Sequence, residues 1–198
     1  MSKTRLRSVI ERCVGAGCFP HQLSFVIDNP IRRLLIAPET LADRLALTAS
    51  SRVLEVGPGS GYFSVEIAGR LPRGRLELFD LQAEMLAKAR RKLASAGLGN
   101  VGYTKGDASK LPFADSEFDV AFLVTVLGEV PDERGCLQSL YRVLRPGGVV
   151  AFHEHLPDPD FSGLPALREL VEAEGIVFVR SWGLSWNYTA SFRKPERP

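Results

Sequence analysis

The run Val53-Leu54-Glu55-Val56-Gly57-Pro58-Gly59-Ser60-Gly61-Tyr62-Phe63 constrains the fold of this chain more than any other stretch. Val53 to Val56 predicts a short buried strand, because β-branched residues suit a pleated, covered position. Glycines at alternate positions, Gly57, Gly59 and Gly61, predict a turn whose bare backbone leaves room for a ligand. Phe63, Val65, Ile67 and Ala68 then supply the apolar side of a helix from Tyr62 to Gly69, wedged against a sheet. Strand, glycine turn and helix in that order make a nucleotide-sized binding edge. The spacing is G-x-G-x-G and not the phosphate-gripping G-x-G-x-x-G. Glu55 stands two residues before the first glycine. A carboxylate there repels a pyrophosphate and attracts a cation.

From that edge onward the chain alternates. Strands are predicted at Arg52 to Val56, Arg75 to Asp80, Val101 to Lys105, Asp119 to Val124 and Val149 to His153. Helices are predicted from Ala83 to Ala96, Asp132 to Val143 and Gly163 to Glu174. Ile176 to Ser181 and Trp186 to Phe192 predict an antiparallel hairpin around Gly183. Alternating β and α units imply a doubly wound α/β fold, with a mostly parallel sheet and helices on both faces. Residues 49–198 read as one compact unit, and residues 1–48 as a helical extension before the first strand. Asp28-Asn29-Pro30 and Pro38-Glu39 are the helix starts of that extension. It reads either as core packing or, around residues 19–36, as a lid over the ligand cleft.

At 198 residues the chain suits a single domain, and 45% apolar with 24% charged residues is ordinary for a globular protein. A net charge of +2 gives no case for nucleic acid. Three cysteines, Cys13, Cys18 and Cys136, leave an odd thiol and favour a reducing compartment. Glu11 and Arg12 break the apolar start, so Met1 to Val14 makes a poor signal peptide. No apolar run approaches the ~20 residues of a membrane helix. The expectation is a soluble, cytoplasmic protein; the residues set no oligomeric state.

Ligands on such sheets lie beyond the carboxyl ends of the strands. There Asp80 ends the second strand, 23 residues after Gly57, where an acid takes ribose hydroxyls. Asp107 follows the third strand in Gly106-Asp107-Ala108, suited to accept from an exocyclic amine such as adenine N6. Each acid alone also reads as turn chemistry. With Glu55 they describe an adenosine site for a cationic ligand, which points to S-adenosylmethionine, with its positive sulfonium and ammonium, rather than NAD.

These residues carry a resemblance over roughly residues 50–155. Val53 to Gly61, Phe79-Asp80, Met85-Leu86, Gly106-Asp107-Ala108, Leu111-Pro112-Phe113, Phe118-Asp119-Val120, Val126-Leu127, Val130-Pro131-Asp132 and Leu144-Arg145-Pro146-Gly147-Gly148 are the matching text. In these the chain resembles a class I S-adenosylmethionine-dependent methyltransferase of the ubiquinone/menaquinone-biosynthesis-like group. The resemblance implies a Rossmann-like, seven-stranded sheet with an antiparallel last strand. It implies that Glu55 sits under the methionine ammonium and that Gly57, Gly59 and Gly61 line the methionyl portion. It further implies Asp80 on the ribose with Leu81 and Gln82 beside the adenine, Asp107 on the adenine amine, the Ala108 amide on the ring, and Leu123 backbone at the methionine end. One departure stands out: relatives often carry a histidine pair where this chain has Gly128-Glu129.

The expected reaction is in-line transfer of the sulfonium methyl to an O, N or C nucleophile of a small or lipid-like acceptor, leaving S-adenosylhomocysteine. The alternative is a non-catalytic S-adenosylmethionine-binding or assembly protein. Where the nucleophile must lose a proton, Glu129 and His155 are the candidate bases, ahead of His153. No obligatory metal is expected: His153-Glu154-His155 with Asp158 or Asp160 offers a weak H-x-H ligand pattern that reads more readily as a polar cleft wall. Trp182, Trp186 and Tyr188 either frame an acceptor pocket or pack.

Overall fold

The computed structural model describes residues 35–196. Most of the 1–48 extension, and the proposed lid apart from Leu35 and Ile36, lie outside them. The described chain opens with helix α1 (Pro38–Arg44), whose proline occupies the first turn, where its missing N–H costs nothing. Ile36, Leu41, Ala42 and Leu45 are buried in the same apolar cluster as Val53, Ile67 and Leu86, so this part of the extension is core.

Seven strands follow: β1 (Arg52–Val56), β2 (Arg75–Asp80), β3 (Val101–Lys105), β4 (Phe118–Val124), β5 (Leu144–His155), β6 (Val177–Leu184) and β7 (Asn187–Arg193). They form one sheet in the order β3-β2-β1-β4-β5-β7-β6. β1, β2, β3, β4 and β5 pair in parallel, and β7 enters antiparallel between β5 and β6. Helices α2 (Ser64–Gly69), α3 (Ala83–Ser95), α4 (Glu133–Val143) and α5 (Leu164–Ala173) cover the two faces. Val53, Phe122 and Ala151 belong to the cluster shared with α1, α2 and α3, while Leu54, Leu123 and Phe152 belong to the cluster shared with α4 and α5. Alternate residues of each strand therefore enter opposite cores, which is why β1 and β4 read as continuous apolar runs.

The predicted architecture and the first three strands match the structure, and three details differ. α2 starts at Ser64, not Tyr62, because the glycine turn holds through Gly61, whose amide donates to the Pro58 carbonyl at 2.9 Å. β5 begins at Leu144 instead of Val149; its pairing with β4 shifts register between Phe118 and Val120, and the backbone of Gly147 and Gly148 bonds to Lys194. An irregular stretch of this kind hides a strand from alternation. Finally, the hairpin turns at Ser185-Trp186, while Gly183 lies inside β6 with φ of +103°. A Cβ at Gly183 would stand 2.3 Å from the Asn187 carbonyl oxygen, so glycine marks a close strand approach there and not the turn.

Candidate active site

A cleft of about 440 Å³ opens across the carboxyl ends of β1, β2, β4 and β5, within the usual size of small-molecule sites. Its first half is the glycine turn. Gly57 continues the ladder by donating to the Phe79 carbonyl at 2.8 Å, then takes φ of +70°. A Cβ there would come within 2.4 Å of Val126 Cγ2, so only glycine lets the turn close on the segment after β4. Gly57 and Gly59 line the cleft; Gly61 instead lies against Ala89 of α3.

Asp80 lines the cleft from the end of β2 and accepts from the Gln82 amide at 2.8 Å. Burial raises its pKa, against the amides of Gln82, Gly59 and Leu81, which favour the carboxylate. One side chain thus ties the second strand to the glycine turn. Leu81 and Gln82 follow along the cleft wall. Asp107 and Ala108 line it after β3, where the Asp107 carboxylate caps a 3₁₀ turn (Ala108–Lys110) by accepting from the Ser109 amide at 2.9 Å, a bond that lowers its pKa.

Glu55 stands apart from the cleft lining. It is 3% exposed, points from β1 toward α2, and accepts from Ser64 Oγ at 2.6 Å. Leu123 is likewise core, and its successors Val124, Thr125 and Val126 form the floor of the cleft. Thr125 holds φ of +51°, a left-handed conformation that is strained for a β-branched residue.

The second half of the cleft is made by Glu129, Val130 and Pro131 after β4, and by His155, Pro157, Asp158 and Pro159 after β5. Glu129 and His155 are thereby brought to one space, 26 residues apart in sequence. His153 is not: it is fully buried one step back on β5, its Nδ1 3.1 Å from Thr189 Oγ1. Among the described residues the cleft carries the carboxylates Asp80, Asp107, Glu129 and Asp158, the imidazole of His155, and no Lys or Arg. Also among the described residues, no three His, Cys, Asp or Glu side chains come together as a ligand set for a metal.

Glu154 faces the other way, into the α4 and α5 side. It is 3% exposed and accepts from the Ser162 amide; burial first, then the nearby charge of Asp158, pushes its pKa up to about 8. Tyr188 donates its hydroxyl to the Ser162 carbonyl at 2.6 Å. Both backbone groups of Ser162 are so engaged, and they hold the loop whose Pro157, Asp158 and Pro159 form the cleft wall. Tyr188 is core, Trp186 is exposed, and Trp182 lies between the guanidinium groups of Arg44 and Arg180; none lines the cleft. Thr125 and the proline-rich wall escaped sequence reasoning, since neither a φ angle nor a loop's direction is written in residue order.

Comparison with known proteins falls on the same part of the chain. Residues 53–148 match the family described as a methyltransferase domain. A solved structure described as a SAM-dependent methyltransferase from Aquifex aeolicus superposes with a TM-score of 0.83 at 24% identity, covering 89% of this chain and all of that one. The structure of the [4+2]-cyclase SpnF superposes with a TM-score of 0.74 at 20% identity, covering 83% of this chain and 81% of that one. Residues 53–148 thus match a methyltransferase domain, and the fold is the one seen in the solved S-adenosylmethionine-dependent methyltransferase. In sequence the chain is also similar to the UbiE group. It is 33% identical over 162 residues to the ubiquinone/menaquinone biosynthesis C-methyltransferase UbiE of Pasteurella multocida, covering 75% of this chain and 58% of that protein. It is 35% identical over 136 residues to the UbiE of Klebsiella pneumoniae subsp. pneumoniae, covering 62% and 54%. The chain spans a little over half the length of these curated relatives.

Proposed function

We propose that this chain transfers a methyl group from S-adenosylmethionine to an uncharged, ring-bearing acceptor of the quinol kind. The observation that carries the reading is the joining of two halves in one cleft: the glycine turn with Asp80 and Asp107, and the wall with Glu129, His155 and Asp158. The first half fits the cofactor. Gly57 leaves backbone bare, Asp80 presents a carboxylate beside it, and Asp107 brings a second carboxylate to the same cleft. Glu55, held by Ser64, contributes negative potential behind the turn rather than direct contact.

The sulfonium supplies an activated methyl group, so the work left to the protein is to orient the acceptor and exclude water. The apolar wall of Val126, Val130, Pro131, Pro157 and Pro159 accepts a flat neutral ring. Four carboxylates and, among the described residues, no facing Lys or Arg disfavour a phosphate or carboxylate acceptor. A carbon nucleophile on a quinol gains reactivity when a neighbouring hydroxyl loses its proton, and His155 or Glu129 is placed to take it. The C-methyltransferase named in the curated relatives agrees with that chemistry. A metal has no part in the proposal. The compartment proposed is the cytoplasm; Cys136 is a free buried thiol whose pKa burial pushes up to about 12, inert to oxidation and suited to reducing surroundings. No helix of the described residues is long and apolar enough to cross a membrane.

The test is incubation with methyl-labelled S-adenosylmethionine and a panel of quinols, phenols, amines and anionic acceptors. Label on the ring carbon of a quinol, lost in His155→Ala or Glu129→Ala, is expected. Cofactor binding without transfer to any acceptor would favour a binding protein.

A further inference from the structure

The second half of the cleft has two walls, one after β4 and one after β5. These strands are neighbours, paired in parallel as far as Val124 and His153. β4 leads into a 3₁₀ turn (Leu127–Glu129), and β5 into the loop of residues 156–163 that reaches α5. The two segments meet at Gly128 and Asp160, neither of which lines the cleft itself. A Cβ at Gly128 would stand 2.5 Å from the Asp160 carbonyl oxygen and 2.8 Å from Asp160 Cβ. Gly128, unlike Gly57, does not take a positive φ, so space alone demands glycine there.

We propose that Gly128 sets acceptor specificity: its missing side chain lets the wall of Pro157, Asp158 and Pro159 stand close to the Glu129 turn, which favours a single flat ring over a fused one. The turn has nowhere to retreat. Val126, just before it, fills the space beside Gly57, and Leu127 is buried in the core. The Glu129 and Val130 amides close the turn on the Val126 and Leu127 carbonyls, at 3.0 and 3.1 Å. The loop after β5 is the softer partner, with Leu156, Pro157 and Pro159 exposed. Yet it is braced within itself. Asp158 Oδ1 accepts from the Asp160 amide at 2.9 Å, and the Phe161 amide donates to the Asp158 carbonyl at 3.2 Å. A push at Asp160 is thereby passed to Asp158 and the prolines on either side of it. The ends of the loop are held, Leu156 by the Trp186 carbonyl at 2.9 Å and Ser162 by the Tyr188 hydroxyl at 2.6 Å. Its middle therefore bows away from the turn when a side chain is added at Gly128. Easing a 2.5 Å contact to ordinary van der Waals separation takes roughly 1 Å. The cleft of about 440 Å³ must hold cofactor and acceptor together, so a shift of that size decides which ring enters. Gly128 is thus a positioning residue that acts through the loop, and the inference rests on the proposed function for what fills that half of the cleft.

The test takes the full chain loaded with S-adenosylhomocysteine and measures binding of phenol, the one-ring probe, and naphthol, the fused one. Gly128→Ala should raise the ratio of naphthol to phenol affinity about tenfold, while S-adenosylhomocysteine affinity stays within about twofold. Amide exchange should quicken in residues 156–163 and stay unchanged in β1 and β4. Gly99→Ala, where a Cβ would meet nothing within 4 Å, should alter neither readout. Asp160→Gly added to Gly128→Ala removes one of the two conflicts and should draw both readouts part of the way back. Should Gly128→Ala alone not fold, that double variant carries the same readouts in smaller measure. Unchanged exchange in residues 156–163, or an unchanged ring preference in a chain that binds the rings, overturns the proposal. So does a loss of S-adenosylhomocysteine affinity with uniformly faster exchange, the mark of general damage. A wild type that binds neither ring, while Gly128→Ala still loosens residues 156–163 alone, counts against the proposed acceptor and for the spacing role of Gly128.

Discussion

Gly57 and Thr125 both line the cleft with positive φ, and each holds that conformation for a reason of its own. Gly57 is fixed by space as well as by φ, because Val126 fills the place of its missing Cβ. Gly57→Ala should therefore weaken S-adenosylhomocysteine binding about five- to a hundredfold, a contact conflict of about 1–3 kcal/mol. Val126→Ala in the same chain should recover part of that loss, while the single Val126→Ala change costs little. Calorimetric titration of the four chains checks the coupling; simple additivity would place the strain elsewhere. Thr125 carries strain of another sort, the left-handed backbone of a β-branched residue. Thr125→Gly should leave the unfolding free energy level or raise it by about 1 kcal/mol, where the same change in an ordinary strand would lower it. Denaturant unfolding reads the difference.

At the scale of elements, the loop from β5 to α5 is what turns a cofactor edge into a closed site. It is clasped at Ser162 by Glu154 and Tyr188, both projecting from the sheet into the α4 and α5 side. Tyr188→Phe removes one bond of the clasp and leaves a carbonyl without its donor, at a cost of about 1–2 kcal/mol. The expected signature is local: faster amide exchange in residues 156–163 with the protection of β1 and β4 unchanged. Uniformly faster exchange would mean that Tyr188 supports the whole core instead. Much of this layer was legible in the sequence, and the reason is physical. β1 and β2 are short runs buried between helices, so hydrophobic pattern sets their limits, while β3, at the sheet's edge, is marked by Gly99-Asn100 before it and Gly106-Asp107 after it. β5 was not, because its first residues pass through a register shift at Pro146-Gly147-Gly148. The site divides the same way. Asp80 and Asp107 end strands and follow a glycine signature in order. The wall of Pro157, Asp158 and Pro159 depends on which way a loop turns.

For the molecule as a whole, Glu154 sets a pH dependence of known sign. Its pKa is about 8 in the folded chain against an ordinary 4.5, raised first by burial and then by Asp158. Between those values the folded protein holds a proton that the unfolded chain has released. Stability should accordingly fall as pH rises from about 4.5 to about 8, and flatten above. Asp80 is raised in the same sense. Asp107 is lowered, so its contribution is present at neutral pH and lost as pH falls through its folded value. Glu154→Gln keeps a neutral side chain in the buried site at every pH. It should flatten the stability profile up to pH 8 and make the variant the more stable chain above that. Urea unfolding of both chains at a series of pH values checks this, and identical slopes would show that Glu154 is charged in the folded state.

The central expectation is a cleft built for S-adenosylmethionine, with Asp80 on the ribose. The most direct measurement is equilibrium binding of S-adenosylhomocysteine and of NADH to the full chain, repeated with Asp80→Asn and Asp80→Ala. The asparagine variant keeps an acceptor for the Gln82 amide and loses only the charge. Hydrogen bonds to a charged group are worth about 1.5–3 kcal/mol, so Asp80→Ala should weaken S-adenosylhomocysteine binding about ten- to a hundredfold, with Asp80→Asn between the two and NADH bound by none. Tight NADH binding, or S-adenosylhomocysteine affinity unchanged in Asp80→Ala, would contradict the account.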